Sequence, residues 1–203
     1  VDPFDYSKIE IRRGKMVTPE DPESKDYFKR YEVTEDGVSP RVLPGMKGGI
    51  HHVTGVEHDE QGKPSEATGN RKAQMDKRMR KLEHVNFVNP VHVNAPHEEA
   101  DVLLVGFNST RGAIEEVQEV LNAEGVKTNH AHIKLIHPFP AEEVAELMDK
   151  AKKVIVVENN ATGQLANIMK MAVGGHAKMR NILKYDGTPF LPRELTNLVK
   201  EEL

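Results

Sequence analysis

Between Asp101 and Leu203, short apolar runs alternate with amphipathic stretches of helical length, and few architectures accept that alternation. Val102-Leu103-Leu104-Val105 and Val154-Ile155-Val156-Val157 are too short for helices and contain no polar residue, the pattern of strands buried on both faces. Thr110–Glu124 places Ile114, Val117 and Leu121 on one helical stripe and ends at Gly125, a natural left-handed stop. Pro140 opens the next helix, where its missing N–H does no harm, and Val144, Leu147, Met148 and Ala151 form the stripe. Gln164–Val173 is a third helix, carrying Leu165, Ile168, Met169 and Ala172. Pro192 opens a last one with Leu195, Leu198 and Val199. Ala131–Ile136 and Asn181–Tyr185 complete the strands. Crossovers of this kind are right-handed, so the fold class expected for residues 101–203 is α/β: three layers, α/β/α, around a mostly parallel sheet. Burying about 30 apolar side chains, at roughly 1.5–3 kcal/mol each, gives such a domain its own core.

Residues 1–100 read differently. They hold 26 of the Val, Ile, Leu, Met, Phe and Tyr residues against 36 in the second half, and eight of the twelve prolines. Ordering a residue costs roughly 1–2 kcal/mol in backbone entropy, so this half has less apolar surface to offset the cost. Asp2-Pro3, Thr18-Pro19, Asp21-Pro22, Asp36-Gly37, Ser39-Pro40, Pro44-Gly45 and Gly48-Gly49 all set turns. An extended, turn-rich segment is expected, with a short helix at Ser24–Tyr31. A longer helix is expected at Asn70–Val85, where Met75, Met79 and Leu82 share a face. Its other face is basic, with Arg71, Lys72, Lys77, Arg78, Arg80 and Lys81. Asn86–Ala100, with Pro90 and Pro96, reads as a connector.

Composition removes several classes of function. A net charge of −4 with 30% charged residues exerts no global pull on nucleic acid or acidic lipid. The basic helix at 71–85 also lacks the aromatic residues that stack on bases, so a solvated or subunit-facing role is expected for it rather than a nucleic-acid partner. The absence of cysteine excludes disulfides, thiolate nucleophiles and cysteine-held clusters from these residues. The apolar runs fall far short of the ~20 residues of a membrane helix, and no signal peptide is visible, so a cytoplasmic location is expected. A start at Val1 inside a polar phrase suggests part of a longer subunit.

Three phrases are candidate sites. Ligands of open α/β sheets gather at the carboxyl ends of the strands. One such end, Gly106–Gly112, resembles an anion-binding loop entering a helix, although no Walker sequence follows; the alternative is a turn with Ser109 or Thr110 as N-cap. A second is Glu158-Asn159-Asn160, where Glu158 is either an acid–base group or a brace for a neighbouring loop or subunit, with Asn159 and Asn160 forming the turn. The third is Gly48–Glu60, which packs His51, His52 and His58 with three carboxylates into ten residues. The spacing fits no zinc pattern, and adjacent His51 and His52 hinder joint tetrahedral ligation, so a shaped loop facing a partner or an active-site entrance is expected. No catalytic, cofactor-binding or metal residue is assigned.

Some of these phrases carry a resemblance. Arg30-Tyr31-Glu32-Val33-Thr34-Glu35-Asp36-Gly37-Val38-Ser39-Pro40-Arg41, then Pro44-Gly45, Gly48–Glu60, Asn70-Arg71 and Met79-Arg80-Lys81-Leu82 resemble the alpha subunit of 2-oxoacid:ferredoxin oxidoreductases, the 2-oxoglutarate type in particular. Asp101–Gly106, Ile136–Pro140 and Glu158–Gln164 resemble its transketolase C-terminal-like domain. The resemblance covers nearly the whole chain as the C-terminal portion of that subunit. It implies a heteromeric enzyme that forms an acyl-CoA and carbon dioxide from a 2-oxoacid and coenzyme A while reducing ferredoxin. It also implies thiamine diphosphate, Mg²⁺ and an iron–sulfur cluster held mainly by a beta subunit, none of them by this segment, whose role would be structural. An autonomous nucleotide- or anion-binding module built on Gly106–Gly112 is the alternative expectation.

Overall fold

The computed structural model describes residues 5, 7, 10, 14–85 and 87–203, with His176 described by its backbone only. The chain divides into two compact units, Val1–Asn86 and Phe87–Leu203.

The second unit is α/β. Strand β2 (Ala100–Phe107) is central, pairing in parallel with β3 (Thr128–Ile133) on one side and β4 (Ala151–Glu158) on the other. β5 (Met179–Leu183) adds in parallel to β4, and β1 (Val91–Asn94) adds antiparallel to β3, giving the order β1-β3-β2-β4-β5. Helices α2 (Arg111–Ala123), α3 (Ala141–Asp149), α4 (Gln164–Ala172) and α5 (Pro192–Glu201) cover the faces. Because strand side chains alternate, Leu103, Val105, Val154 and Val156 pack with Val144, Met148, Leu165 and Met169 of α3 and α4. Their neighbours Val102, Leu104, Ile155 and Val157 pack with Ile114, Val117 and Leu121 of α2 and Leu195 and Val199 of α5. Two apolar cores around one sheet are the three layers expected from the sequence.

Several elements differ from expectation: Ala151 opens β4 rather than extending the stripe of α3, and β5 spans Met179–Leu183 rather than Asn181–Tyr185. The supposed connector contains β1, an edge strand of four residues between Pro90 and Pro96, too short to show periodicity. β3 begins at Thr128 rather than Ala131, and all six of its residues are buried although four are polar. Hydrogen bonds offset part of that polarity: Thr128 O accepts from Gln118 Nε2 and Asn122 Nδ2, and Asn129 Nδ2 donates to His97 O, whereas neither ring nitrogen of His130 has a partner among the described residues.

In the first unit, α1 (Thr68–Glu83) is the one α-helix among the described residues. Its orientation reverses the sequence pattern. Met79 is 52% exposed, whereas Lys77 is 5% and Gln74 0% exposed. Lys77, with Arg78 and Arg80 beside it, is turned inward because it supplies donors that the turn-rich segment lacks, while Arg71, Lys72 and Lys81 stay exposed. Lys77 Nζ and Gln74 Nε2 donate to Tyr31 O, and Arg80 donates to the carbonyls of Glu35 and Thr34. A buried carbonyl without a donor costs roughly 1–3 kcal/mol, more than exposing a methionine's flexible side chain. Gly37, at φ +73°, allows the closest approach; a Cβ there would sit 2.5 Å from Lys77 O. Ser24–Tyr31 is not helical, since Phe28 N donates to Ile50 O and Tyr31 N to Glu60 O, bonds that no local helix can make.

Candidate functional site

At the end of β4 the chain turns through Asn159–Gly163 into α4, and Glu158 is fully buried there. Its Oε2 accepts from Leu165 N at 2.7 Å and from Asn160 Nδ2 at 2.8 Å, and its Oε1 accepts from Ala166 N at 3.0 Å. These amides belong to the first turn of α4, which has no side-chain cap from its own N-cap residue. The carboxylate therefore satisfies orphan helix donors and lies at the positive end of the helix dipole. Asn160 Oδ1 accepts from Thr162 N and Gln164 N, closing the turn, and Asn159 Nδ2 reaches Lys184 O at 3.5 Å. Every polar contact of Glu158 points into the fold, so the geometry is that of an internal brace.

The Gly48–Glu60 loop does not gather its imidazoles. His51 Nδ1 bonds Gly49 O at 2.8 Å, and its ring meets Phe28 edge-on with centroids 6.2 Å apart. His52 lies against Tyr27 at 4.4 Å. His58 is buried against the Tyr31 ring at 3.9 Å, with Nδ1 bonded to Asp59 O. No group of three or more His, Asp or Glu among the described residues is arranged to hold a metal ion. The carboxylates are equally committed. Arg78 grips Glu57 with two nitrogens, at 3.1 and 2.7 Å, and Arg71 adds a third contact. Those guanidinium groups, Arg78 first, hold the Glu57 carboxyl well below the usual carboxylate range. Glu60 accepts from Val33 N at 2.9 Å, which together with Lys29 lowers its pKa.

Around this frame the first unit has a recess of about 470 Å³ that sequence reading missed. Lys15, Arg30, Arg41, Lys77, Arg78 and Lys81 contribute to its lining, and no Asp or Glu does. Lys15 and Arg41 are far from Lys77 and Lys81 in sequence, so only the fold brings them together. The one available signal was the basic run on α1.

The Gly106–Gly112 phrase leaves β2 through a 3-10 turn, Asn108–Thr110, into α2. Thr110 occupies the N-cap position, but its hydroxyl donates back to Phe107 O at 3.0 Å instead of capping the helix. It is 2% exposed, and no charged residue within the phrase except Arg111 is available to an anion; Arg111 is tied to Glu115 at 2.7 Å.

The second unit matches the family described as pyruvate:ferredoxin oxidoreductase core domain II over residues 100–195, which defines its class. Over 98% of its length the chain is 38% identical to the alpha subunit of 2-oxoacid:ferredoxin oxidoreductase 2 of Aeropyrum pernix, covering 30% of that relative. It is 29% identical to the 2-oxoglutarate oxidoreductase subunit KorA of Mycobacterium tuberculosis, over 80% of this chain and 24% of that one. Among solved structures, the 2-oxoglutarate:ferredoxin oxidoreductase of Magnetococcus marinus, with 2-oxoglutarate, coenzyme A and succinyl-CoA bound, superposes with a TM-score of 0.76 at 34% identity. That match covers 89% of this chain and 31% of the other. The chain belongs to the family of 2-oxoacid:ferredoxin oxidoreductase alpha subunits. It spans about three tenths of the length of the relatives it matches.

Proposed function

We propose that this chain forms part of the alpha subunit of a 2-oxoglutarate:ferredoxin oxidoreductase, which converts 2-oxoglutarate and coenzyme A to succinyl-CoA and carbon dioxide while reducing ferredoxin. The observation that carries the reading is the 0.76 superposition on the M. marinus enzyme, over 89% of this chain. The KorA relative points to the same acid.

In the complete enzyme, thiamine diphosphate with Mg²⁺ would supply the decarboxylation chemistry and an iron–sulfur cluster the electron transfer. The sequence supplies no cysteine to hold an iron–sulfur cluster. We assign those groups to a beta subunit, as the family resemblance implies, and derive no step through them. This chain's contribution is scaffold and electrostatics: a braced α/β domain and an electropositive recess suited to anionic reactants.

The test is ferredoxin reduction by the complete alpha subunit co-expressed with its partner, with the acyl-CoA product identified by mass. The reading predicts succinyl-CoA from 2-oxoglutarate, with a higher kcat/KM than pyruvate gives. Preference for pyruvate, or no acyl-CoA at all, would refute it.

A further inference from the structure

Two of the six cations around the first unit's recess are neutralised: Lys15 pairs with Asp36 at 2.6 Å and Arg78 with Glu57 at 2.7 Å. The other four, Arg30, Arg41, Lys77 and Lys81, have no carboxylate partner among the described residues. Like charges held around one concavity repel one another, and a bound anion converts that repulsion into attraction. Lys77 shows the strain most clearly. It is 5% exposed and donates only to neutral acceptors, Tyr31 O at 2.8 Å and Ser39 Oγ at 3.0 Å. Burial, followed by the neighbouring Arg78 and Arg30, pushes its ammonium down to about 8.

A second observation narrows the ligand. Gln74 lines the same recess, is fully buried, and donates through Nε2 to Tyr31 O, while its Oε1 has no partner among the described residues. A buried acceptor without a donor calls for a hydroxyl or N–H from whatever fills the space. An anion without an O–H or N–H satisfies the cations but not Gln74; a phosphate ester carrying sugar hydroxyls or amide donors satisfies both, with donors set apart from the charged oxygens. The volume, about 470 Å³, lies in the range of small-ligand pockets and accommodates a nucleoside bisphosphate.

We infer that this recess binds a nucleoside phosphate, with Arg30, Arg41, Lys77 and Lys81 facing the phosphates and Gln74 Oε1 accepting from the nucleoside. The choice of coenzyme A as its source, through that molecule's adenosine 3′,5′-bisphosphate end, rests on the proposed function above. The recess itself does not.

The experiment is calorimetry on the complete subunit complex with three probes: coenzyme A, adenosine 3′,5′-bisphosphate and inorganic phosphate. Arg41 and Lys81 are both exposed, so an R41Q/K81Q variant keeps the fold and removes two charges. Losing charge-assisted contacts should weaken coenzyme A and the bisphosphate at least tenfold each, and raising the salt should weaken wild-type binding. A wild-type affinity in R41Q/K81Q, inorganic phosphate binding as tightly as the bisphosphate, or no bisphosphate binding at millimolar concentration overturns the inference. Bisphosphate binding that depends on these residues, in a protein that makes no acyl-CoA, would uphold the recess and refute the proposed function. Acyl-CoA production with recess-independent binding would do the reverse.

Discussion

Replacing Glu158 separates a brace from an acid–base group, because the two roles predict different losses. Glu158→Ala removes the acceptor for Leu165 N and Ala166 N, both buried, and for Asn160 Nδ2. Each buried amide left unsatisfied costs roughly 1–3 kcal/mol, so the two together cost about 2–6 kcal/mol. Against a total stability of roughly 5–15 kcal/mol, that is a large fraction. Glu158→Gln keeps the shape and one oxygen but turns an NH₂ toward one of the helix amides, at a cost of about 1–3 kcal/mol. Urea unfolding followed by circular dichroism reads the difference. With a slope of roughly 2 kcal/mol per molar, the midpoint should fall by about 0.5–1.5 M for E158Q and about 1–3 M for E158A. An E158Q midpoint within about 0.2 M of wild type would refute the bracing argument, since no buried amide would then depend on the second oxygen.

Other consequences follow from the same geometry. Gly163 adopts φ +63° and a Cβ there would lie 2.4 Å from Asn181 Nδ2, so Gly163→Ala should lower thermal stability by about 1–3 kcal/mol in a melting curve; an unchanged melt would show that the turn relaxes freely. Burial, followed by the charge of His132, pushes His130 down to about 4, and both of its ring nitrogens lack partners among the described residues. The unfolded chain binds this proton more readily, so stability should fall as pH drops from about 6.5 toward 4, and His130→Leu should flatten that part of the urea-midpoint profile. His132, which burial also pushes down, lies beside it, and an identical profile in the variant would move the effect to His132. Lys77 gives the same sign at higher pH: its folded pKa of about 8 lies below the unfolded value, so raising the pH from 8 to 10 should stabilise the first unit, and Lys77→Met should remove that gain.

The second unit was largely readable because its signal is local. Val102–Val105 and Val154–Val157 are apolar on both faces, and only a sheet covered on both sides needs that. β3 was misplaced for the opposite reason. Thr128 and Asn129 are held by Gln118 on α2 and by His97 ahead of β2, partners too far away in sequence for a local window to contain, and His130 is buried with both ring nitrogens unpaired among the described residues. In the first unit the helix was legible but its orientation was not. Met75 and Met79 advertised an inward face, yet the carbonyls of Tyr31, Thr34 and Glu35, some 45 residues away in sequence, drew in the cations instead. The recess had the same obstacle, since its charges converge only after Lys15 and Arg41 meet α1. The His51, His52 and His58 cluster looked dense in sequence, but each ring found a separate aromatic or carbonyl neighbour.

That this chain lends framework and field, and no proton-transferring group, to a larger catalyst is best tested by steady-state kinetics of the complete complex carrying E158Q, at a temperature where the variant is fully folded. The account predicts turnover of 2-oxoglutarate within a few-fold of wild type. A loss of a hundredfold or more in a folded variant, the size expected when an acid–base group is removed, would contradict it.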